Sequence, residues 1–255
     1  MKIWCFAIVA MLSGIALAHA ADMPAAPPLY TKSAPAAPPQ WDWSGFYLGV
    51  HGGYGWGHDP NSSSPFNPLS PTNIESKGAL VGGQAGYNWQ SGVLLGGLEV
   101  DMTWTKISGS FTGSLANATF VGTQSVQDQI NYMGTARARF GVLPSQSVLL
   151  YGTGGAAWAQ TTQTVNISQT LFPGPLFVQS TMTPTTRFGW SAGAGAEAML
   201  AAMGLPHWFV RAEYLHYNFG GKTSTSSFLV APPASTTTSG PFTTDVVRGG
   251  VEYKF

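Results

Sequence analysis

Hydrophobic and polar residues alternate with a period of two along much of the chain, from about residue 43 to its last residue. Alternation of this kind predicts β-strands with one apolar and one polar face. Clusters of Gly, Pro, Ser, Thr and Asn divide the alternating regions into eight segments. The predicted strands cover residues about 43–57, 78–89, 93–104, 129–142, 148–160, 186–199, 207–219 and 243–255.

The connections between these strands alternate in length. The second, fourth and sixth are short turns, whereas the others are polar and on the order of 20–25 residues long. Short turns at one end, long connections at the other and an even strand number are typical of barrels in bacterial outer membranes. Each segment also reaches the ~9–11 residues that cross a bilayer at a tilt. The pattern therefore predicts an all-β fold, a closed antiparallel eight-stranded transmembrane up-and-down β-barrel with four long external loops.

Charged residues within the predicted strands share the polar face. Glu99 and Asp101, for example, alternate with Leu98, Val100 and Met102. A lysine or arginine on the lipid face at mid-bilayer costs about 2–4 kcal/mol, so the apolar face is expected to point outward. The predicted lumen charge network comprises Glu99, Asp101, Arg137, Arg139, Arg187, Glu197, Arg211, Glu213, Arg248, Glu252 and Lys254.

The near balance of acids and bases in this network predicts a closed interior. An eight-stranded barrel is only wide enough for side chains to fill it, and buried charges require partners. We therefore expect a plugged, charge-paired lumen and a structural or surface-interaction role that uses the external loops. The sequence predicts no catalysis, no cofactor and no metal site.

Aromatic residues concentrate near the ends of the predicted strands, as in the girdles at the two interfaces of a membrane. The set expected at the periplasmic end is Trp41, Trp43, Tyr87, Trp89, Phe140, Trp208, Tyr253 and Phe255. The set expected at the outer end is Trp104, Tyr132, Trp158, Phe188, Trp190, Tyr217 and Phe219.

Composition agrees with a chain that exposes little of its surface to water. Charged residues make up 9% of the sequence, against about 25% in typical soluble domains. The formal net charge is zero, which offers no basic surface for nucleic acid.

The N-terminal segment has the features of a secretory signal peptide. Lys2 precedes an apolar run over residues 3–18, and Ala-His-Ala at 18–20 fits a cleavage site. The predicted organisation is therefore a signal peptide at 1–20, a Pro/Ala-rich disordered lead-in at 21–40, and the barrel domain at 41–255.

Several stretches also resemble a known family. They are WDWSGFYLGVHGGYGWG at 41–57, ARARFGV at 136–142, LLYGTGGAAWA at 149–159, VRAEYLHYNFG at 210–220 and VVRGGVEYKF at 246–255. These motifs are similar to those of the small outer-membrane proteins of alphaproteobacteria, OmpA-like eight-stranded β-barrels of the outer-membrane porin family.

The resemblance implies a location in the outer membrane of a Gram-negative bacterium, with membrane lipid and lipopolysaccharide as surroundings. It implies that Val251, Tyr253 and Phe255 form the signal recognised by the barrel-assembly machinery. It also implies a possible host or surface ligand at the external loops, since members include antigens and host-interaction factors.

Two other functions stay open from the sequence. One is a small-solute porin, and the other is a haem-binding surface receptor in which His58 is the candidate ligand. The apolar stretch at 171–178 is a candidate contact surface within a polar loop. Ser191 lies in a G-x-S-x-G motif, but its position inside an alternating strand lacks the strand-to-helix elbow of a hydrolase.

Overall fold

The computed structural model describes residues 42–59, 74–116, 120–171, 173–226, 235–239 and 242–255. The predicted signal peptide and lead-in lie outside these residues. The described residues fall within one unit, Gln40–Phe255. Their strands are β1 (Gly45–Asp59), β2 (Ile74–Ser91), β3 (Leu94–Thr105), β4 (Ser108–Ala116), β5 (Phe120–Ser145), β6 (Val148–Leu171), β7 (Leu176–Leu200), β8 (Leu205–Phe219), β9 (Lys222–Ser226), β10 (Ser235–Ser239) and β11 (Phe242–Lys254).

Eight of these strands form a closed antiparallel ring in the order β1-β2-β3-β5-β6-β7-β8-β11. The closing strand is β1, which pairs with β2 along one edge and with β11 along the other. Val50, for example, lies opposite Gly83 on β2 and opposite Val251 on β11. Closure satisfies the backbone groups that an open sheet would expose to lipid. The predicted fold class is confirmed.

Short turns join the strands at one end of the barrel, which we call the turn end. The β2–β3 turn contains Gly92 with φ of 62°, a left-handed conformation that favours glycine. Between β7 and β8 the chain forms a short 3-10 helix, Ala201–Met203, which ends at Gly204 with φ of 77°. Among the described residues, no helix has the length and apolar character needed to span a membrane.

At the opposite end, which we call the extended end, the predicted long loops are largely strands. β5, β6 and β7 contain 26, 24 and 25 residues, far more than the ~9–11 that cross a bilayer. A β-bulge at Asn131, between Ile130 and Tyr132, marks where β5 passes beyond the ring. We call this extension the outer sheet, formed by β4 with residues 120–130, 161–171 and 176–188.

The outer sheet differs from the predicted long external loops in being built from paired strands. Its Thr-rich segments favour strands because β-branched residues fit a pleated surface. Both faces of this sheet carry mainly polar or half-exposed residues, so no apolar alternation reveals its strands in the sequence. Between β8 and β11 along the chain, β9 and β10 pair with each other as a separate two-stranded sheet.

The barrel interior contains apolar side chains as well as charges. A cluster at the turn end comprises Trp43, Leu95, Leu149, Tyr151, Met199 and Phe209. A cluster at the extended end comprises Leu80, Ile107, Ile130, Met133, Ala157, Ala159, Leu215, Tyr217, Phe219, Phe242 and Val246.

The placement of Trp43, Tyr217 and Phe219 in the two predicted aromatic girdles was therefore wrong, because all three are buried inside. On β8, positions 217 and 219 share the inward face with Arg211 and Glu213. Their proximity to a strand end suggested the membrane interface, but the period of two fixes their direction.

Candidate functional site: the lumen charge network

Strand register places acids and arginines directly opposite each other on the inward face of neighbouring strands. Opposite charges at such positions stabilise the pairing of two antiparallel strands. The three cross-strand pairs are Glu99 with Arg137, Arg248 with Glu213, and Glu197 with Arg211.

Arg137 links carboxylates from two parts of the barrel wall. Its Nη2 lies 2.5 Å from Oε1 of Glu99 and 3.0 Å from Oδ2 of Asp101, both on β3. Its Nη1 lies 3.1 Å from Oε1 of Glu213 on β8. Because β3 and β8 are not neighbours in the ring, this guanidinium group connects strands across the lumen.

Arg211 performs a similar role nearer the turn end. Its Nη2 lies 2.6 Å from Oε2 of Glu99, 2.8 Å from Oε1 of Glu197 and 2.7 Å from Oε1 of Glu252. Glu99 therefore accepts charge-assisted hydrogen bonds from both Arg137 and Arg211, one on each oxygen. Bonds of this type are about twice as strong as those between neutral groups.

Arg248 continues the network toward the extended end. Its Nη2 lies 2.6 Å from Oε2 of Glu213 and 3.3 Å from Oδ2 of Asp101. Its Nη1 lies 3.2 Å from Nε2 of His51. The His51 ring is held by two further partners, since Nδ1 lies 2.6 Å from Oε1 of Gln84 and Nε2 lies 2.8 Å from Oγ1 of Thr103.

Arg139 joins the charges to the aromatic residues at the turn end. It forms an ion pair with Glu197, and its Nη1 lies 3.4 Å from Oε2 of Glu99. The same Nη1 donates to the hydroxyl of Tyr47 at 2.9 Å. Its guanidinium carbon lies 4.1 Å from the ring centroid of Tyr151, within the range of a cation–π interaction.

The structure thus brings nine of the predicted lumen residues into one buried network of five carboxylates and four guanidinium groups. Two predicted members lie elsewhere. The guanidinium carbon of Arg187 lies 5.8 Å from the ring of Phe242, beside the apolar cluster of the extended end. Lys254 is half-buried at the turn end, where its amino group donates to the carbonyl of Asp42.

Sequence reasoning missed the neutral polar members of the network. The hydroxyl of Tyr47 donates to Oε2 of Glu99 at 2.7 Å, and that of Tyr151 donates to Oε1 of Glu213 at 3.1 Å. Thr135 donates to Oδ2 of Asp101 at 2.5 Å. The alternation of the strands places these three residues on the inward face. Because threonine and tyrosine are tolerated on either face, this placement alone did not indicate that they belong to the charge network.

Two glycines provide the room that the tyrosine rings occupy. Gly86 lies opposite Tyr47 across the β1–β2 pair, and Gly195 lies opposite Tyr151 across the β6–β7 pair. A Cβ atom at either glycine would collide with the ring of its partner tyrosine. Each aromatic ring therefore covers a glycine on the adjacent strand, an arrangement known from other β-sheets.

Residues 42–44 close the turn end of the lumen. The backbone N–H of Trp43 donates to Oε1 of Gln90 at 2.7 Å, and its indole Nε1 donates to the carbonyl of Gln146 at 3.0 Å. Its ring lies 4.8 Å from that of Phe209. Hydrogen bonds from the backbone and side chain of Ser44 lower the pKa of Asp42. This short segment is thereby attached to two separate turns.

Other candidate residues from the sequence occupy varied positions. The side chain of His58 lies outside the described part of the structure. Ser191 is buried within the regular strand β7, without the elbow that a nucleophilic serine needs. Among the described residues, no group of three or more His, Cys, Asp or Glu is arranged to hold a metal ion.

The remaining candidates are surface residues. Of the apolar stretch at 171–178, Leu176 and Val178 are 63% and 72% exposed at the tip of the β6–β7 hairpin. At the end of the chain, Val251 and Phe255 are exposed on the outward face of the barrel. The ring of Tyr253 contacts that of Phe255 edge to face, with centroids 5.2 Å apart.

Comparison with known proteins identifies relatives along nearly the whole chain. The family model of the outer membrane protein beta-barrel domain matches residues 7–255. The 31 kDa outer-membrane immunogenic protein of Brucella melitensis is 30% identical over 93% of this chain and 93% of its own length. The 25 kDa outer-membrane immunogenic protein of Brucella abortus is 28% identical over 96% of this chain and 94% of its own.

Among solved structures, the outer membrane protein OprG of Pseudomonas aeruginosa is 12% identical, with a TM-score of 0.49 and coverage of 83% of this chain and 98% of that chain. The Brucella relatives are named for their location and immunogenicity and not as enzymes, in agreement with the predicted non-enzymatic role. The chain therefore belongs to the outer membrane protein beta-barrel domain family and is an outer-membrane protein of the Gram-negative type.

Proposed function

We propose that this protein is a non-conducting outer-membrane barrel with a structural and surface-interaction role. The observation that carries the proposal is the burial of the charge network. No side chain among its nine charged members is more than 3% exposed. The charged groups of the lumen already neutralise each other, so an ion could pass only by breaking their pairs. Breaking a buried ion pair costs about 3–5 kcal/mol.

The layers on either side of the network support the same proposal. Apolar side chains fill the lumen at the turn end and again at the extended end. Trp43 is 1% exposed and lies within the layer at the turn end. A hydrated solute would therefore have to displace an apolar layer, a charged layer and a second apolar layer in turn.

The surface-interaction part of the proposal concerns the extended end. We assign the turn end to the periplasm and the outer sheet to the cell exterior, because barrels of this class keep their short turns on the periplasmic side. Leu176, Phe177 and Val178 then lie on the cell surface. Exposed apolar groups in a polar surrounding are typical of contact surfaces, so this hairpin tip is the proposed contact for a host or surface ligand.

Conductance measurement tests the non-conducting role against the small-solute porin. Refolded protein reconstituted in planar bilayers is expected to give no current steps above the lipid baseline. A general porin inserted into the same bilayers establishes the sensitivity of the measurement. Reproducible steps from the wild-type chain, at a frequency that rises with its concentration, would reject the closed lumen and favour the porin.

A further inference from the structure

The outward face of β2 and β3 carries two lysines just beyond its apolar band. Along β3 the outward side chains are Leu98, Val100, Met102 and Trp104, all exposed. The alternation continues past the strand end, with Lys106 exposed and Ile107 buried. On β2, Lys77 occupies the outward face two residues before Ala79, and both are exposed.

Register brings these two lysines close together. Lys77 lies opposite Ser108, and the backbone N–H of Lys106 donates to the carbonyl of Ala79 at 2.9 Å. Lys77 and Lys106 are therefore diagonal neighbours on one face of an antiparallel pair, a separation of about 7–8 Å between their backbones. Two long, flexible side chains at that distance can place both ammonium groups on a single anion.

Lys77 and Lys106 have no partner for their charge within the described part of the chain. Among the described residues, neither amino group forms an ion pair or hydrogen bond. Glu75, two residues from Lys77 on the same face of β2, is exposed and likewise unpaired within the described part of the chain. Over the described residues the net charge of this patch is therefore positive, so it can accept an anion from outside the chain.

The acidic residue at the same level of the barrel is in a different situation. Asp245 lies opposite Trp56, and Trp56 lies opposite Lys77, so the three belong to one row around the outside of the ring. Oδ1 of Asp245 accepts a hydrogen bond from the hydroxyl of Tyr214 at 2.6 Å and lies 2.8 Å from Nδ1 of His216. The carboxylate in this row has protein partners, whereas the two lysines have none among the described residues.

The groups above and below the lysines indicate the kind of anion. Toward the barrel centre lies the apolar band that ends in Trp104, which is 59% exposed. Toward the outer sheet, Ser108 and Ser110 lie opposite Gln129 and Gln127, and all four are exposed and neutral. The order along the barrel wall is thus apolar, cationic, and then hydroxyl and amide.

We propose that this outward surface, formed by Lys77 and Lys106 with Trp104, Ser108 and Gln129, binds a phosphorylated glycolipid of the outer leaflet. Its acyl chains would lie against the apolar band, its phosphate between the two ammonium groups, and its sugars against the hydroxyl and amide side chains. Aromatic and lysine side chains are the usual anchors at this depth of a membrane. The inference rests on the orientation of the barrel proposed above.

Binding of diphosphorylated lipid A to the detergent-solubilised full-length barrel, measured by native mass spectrometry, tests this site. Each of Lys77→Gln and Lys106→Gln is expected to weaken binding about fivefold, and the double variant about 25-fold. Lys254→Gln removes the same charge at the turn end and is the matched control, with no change expected. Heat-modifiable gel migration verifies that each variant is folded.

The lipid itself provides the second comparison. Dephosphorylated lipid A is expected to bind the wild type as weakly as phosphorylated lipid A binds the double variant. Equal binding of phosphatidylglycerol would overturn the assignment to a glycolipid. Unchanged binding in the double variant, or equal weakening by Lys254→Gln, would overturn the site itself.

The orientation has an independent measurement. Val178→Cys is expected to react with a membrane-impermeant thiol reagent on intact cells. Failure to react would reject the proposed orientation and the function based on it. Reaction at Val178→Cys together with lysine-independent lipid binding would reject only the glycolipid site.

Discussion

Glu213 and Glu252 face the same lumen but have unequal support from positive charge. Glu213 binds Arg137 through one oxygen and Arg248 through the other. Among the described basic residues, Glu252 is within ion-pair distance of Arg211 alone, with Gln84 donating to the same oxygen at 3.1 Å. Carboxylates outnumber guanidinium groups by one in the network, which leaves one surplus negative charge. We assign this surplus to Glu252, because it has less support from arginine than Glu213 has.

This difference predicts unequal effects of two isosteric substitutions. Glu213→Gln removes the negative charge that both Arg137 and Arg248 bind. It is expected to lower the free energy of unfolding by about 3–5 kcal/mol. Glu252→Gln is expected to change it by less than about 1 kcal/mol, since Arg211 keeps Glu99 and Glu197. Urea titration in micelles, followed by tryptophan fluorescence, measures both. Equal destabilisation would contradict the unequal sharing of charge.

At the residue scale, the sequence predicted the face on which a side chain lies better than it predicted the residue that this side chain binds. A period of two was enough to place Glu99, Arg137 and Glu213 on the inward face. It could not predict that Arg137 binds Glu213 across the lumen, 76 positions away along the chain. It also suggested Lys254 for the network, although a residue at the rim can satisfy its charge with the carbonyl of Asp42.

Among the elements, β11 has both a structural and a proposed biogenesis role. It completes the ring against β1 and β8. The backbone N–H of Phe255 donates to the carbonyl of Phe46 at 3.1 Å, and its ring is exposed on the outward face. Because the ring contributes little to the packed interior, it is accessible to another protein. This accessibility suits the role expected for Phe255 in recognition by the barrel-assembly machinery.

The two roles of Phe255 predict different results in cells and in micelles. Phe255→Ala is expected to lower the amount of folded barrel in the outer membrane several-fold, because the proposed assembly signal is removed. The stability of refolded protein should change by less than about 1 kcal/mol, as expected for an exposed position. Phe140→Ala, an equally exposed outward ring, is the control for loss of lipid contact. An equal loss of assembly in both variants would argue against a specific signal.

The elements that the sequence predicted least well are those outside the membrane. The ring strands were close to their predicted bounds because lipid on one side and charge on the other enforce alternation. The outer parts of β5, β6 and β7 have water on both sides, so neither face is required to be apolar. Their Ser/Thr-rich segments were therefore interpreted as loops, although backbone pairing continues to Thr170 opposite Leu176.

At the scale of the whole molecule, the barrel and the outer sheet have different sources of stability. The barrel combines closure, a packed lumen and a lipid-facing surface. The outer sheet depends mainly on backbone pairing between strands whose side chains are largely exposed or half-buried. Regions with few buried apolar contacts open more readily than a packed core, so the two parts should unfold separately.

This separation predicts that the outer hairpin is dispensable for the barrel. Replacing residues 165–181 with Asn-Gly joins Thr164 to Met182, which already lie opposite each other, through a two-residue turn that suits antiparallel strands. The shortened protein is expected to keep its heat-modifiable migration and its closed lumen while losing binding to any partner of the hairpin tip. Loss of compact migration would show that the outer sheet supports the barrel.

The sequence by itself determined those features of the structure that depend on residues within one strand or one connection. Alternation, charge phase and the lengths of connections predict a closed barrel with apolar groups outside and charges inside, because each depends on residues that are close along the chain. The tertiary structure decided which charges meet, which aromatic rings fill the lumen and which lysines have no partner in the described part of the chain. Those outcomes depend on strand register and on contacts across the ring, as between Arg248 and Asp101, 147 positions apart, and no local pattern records them.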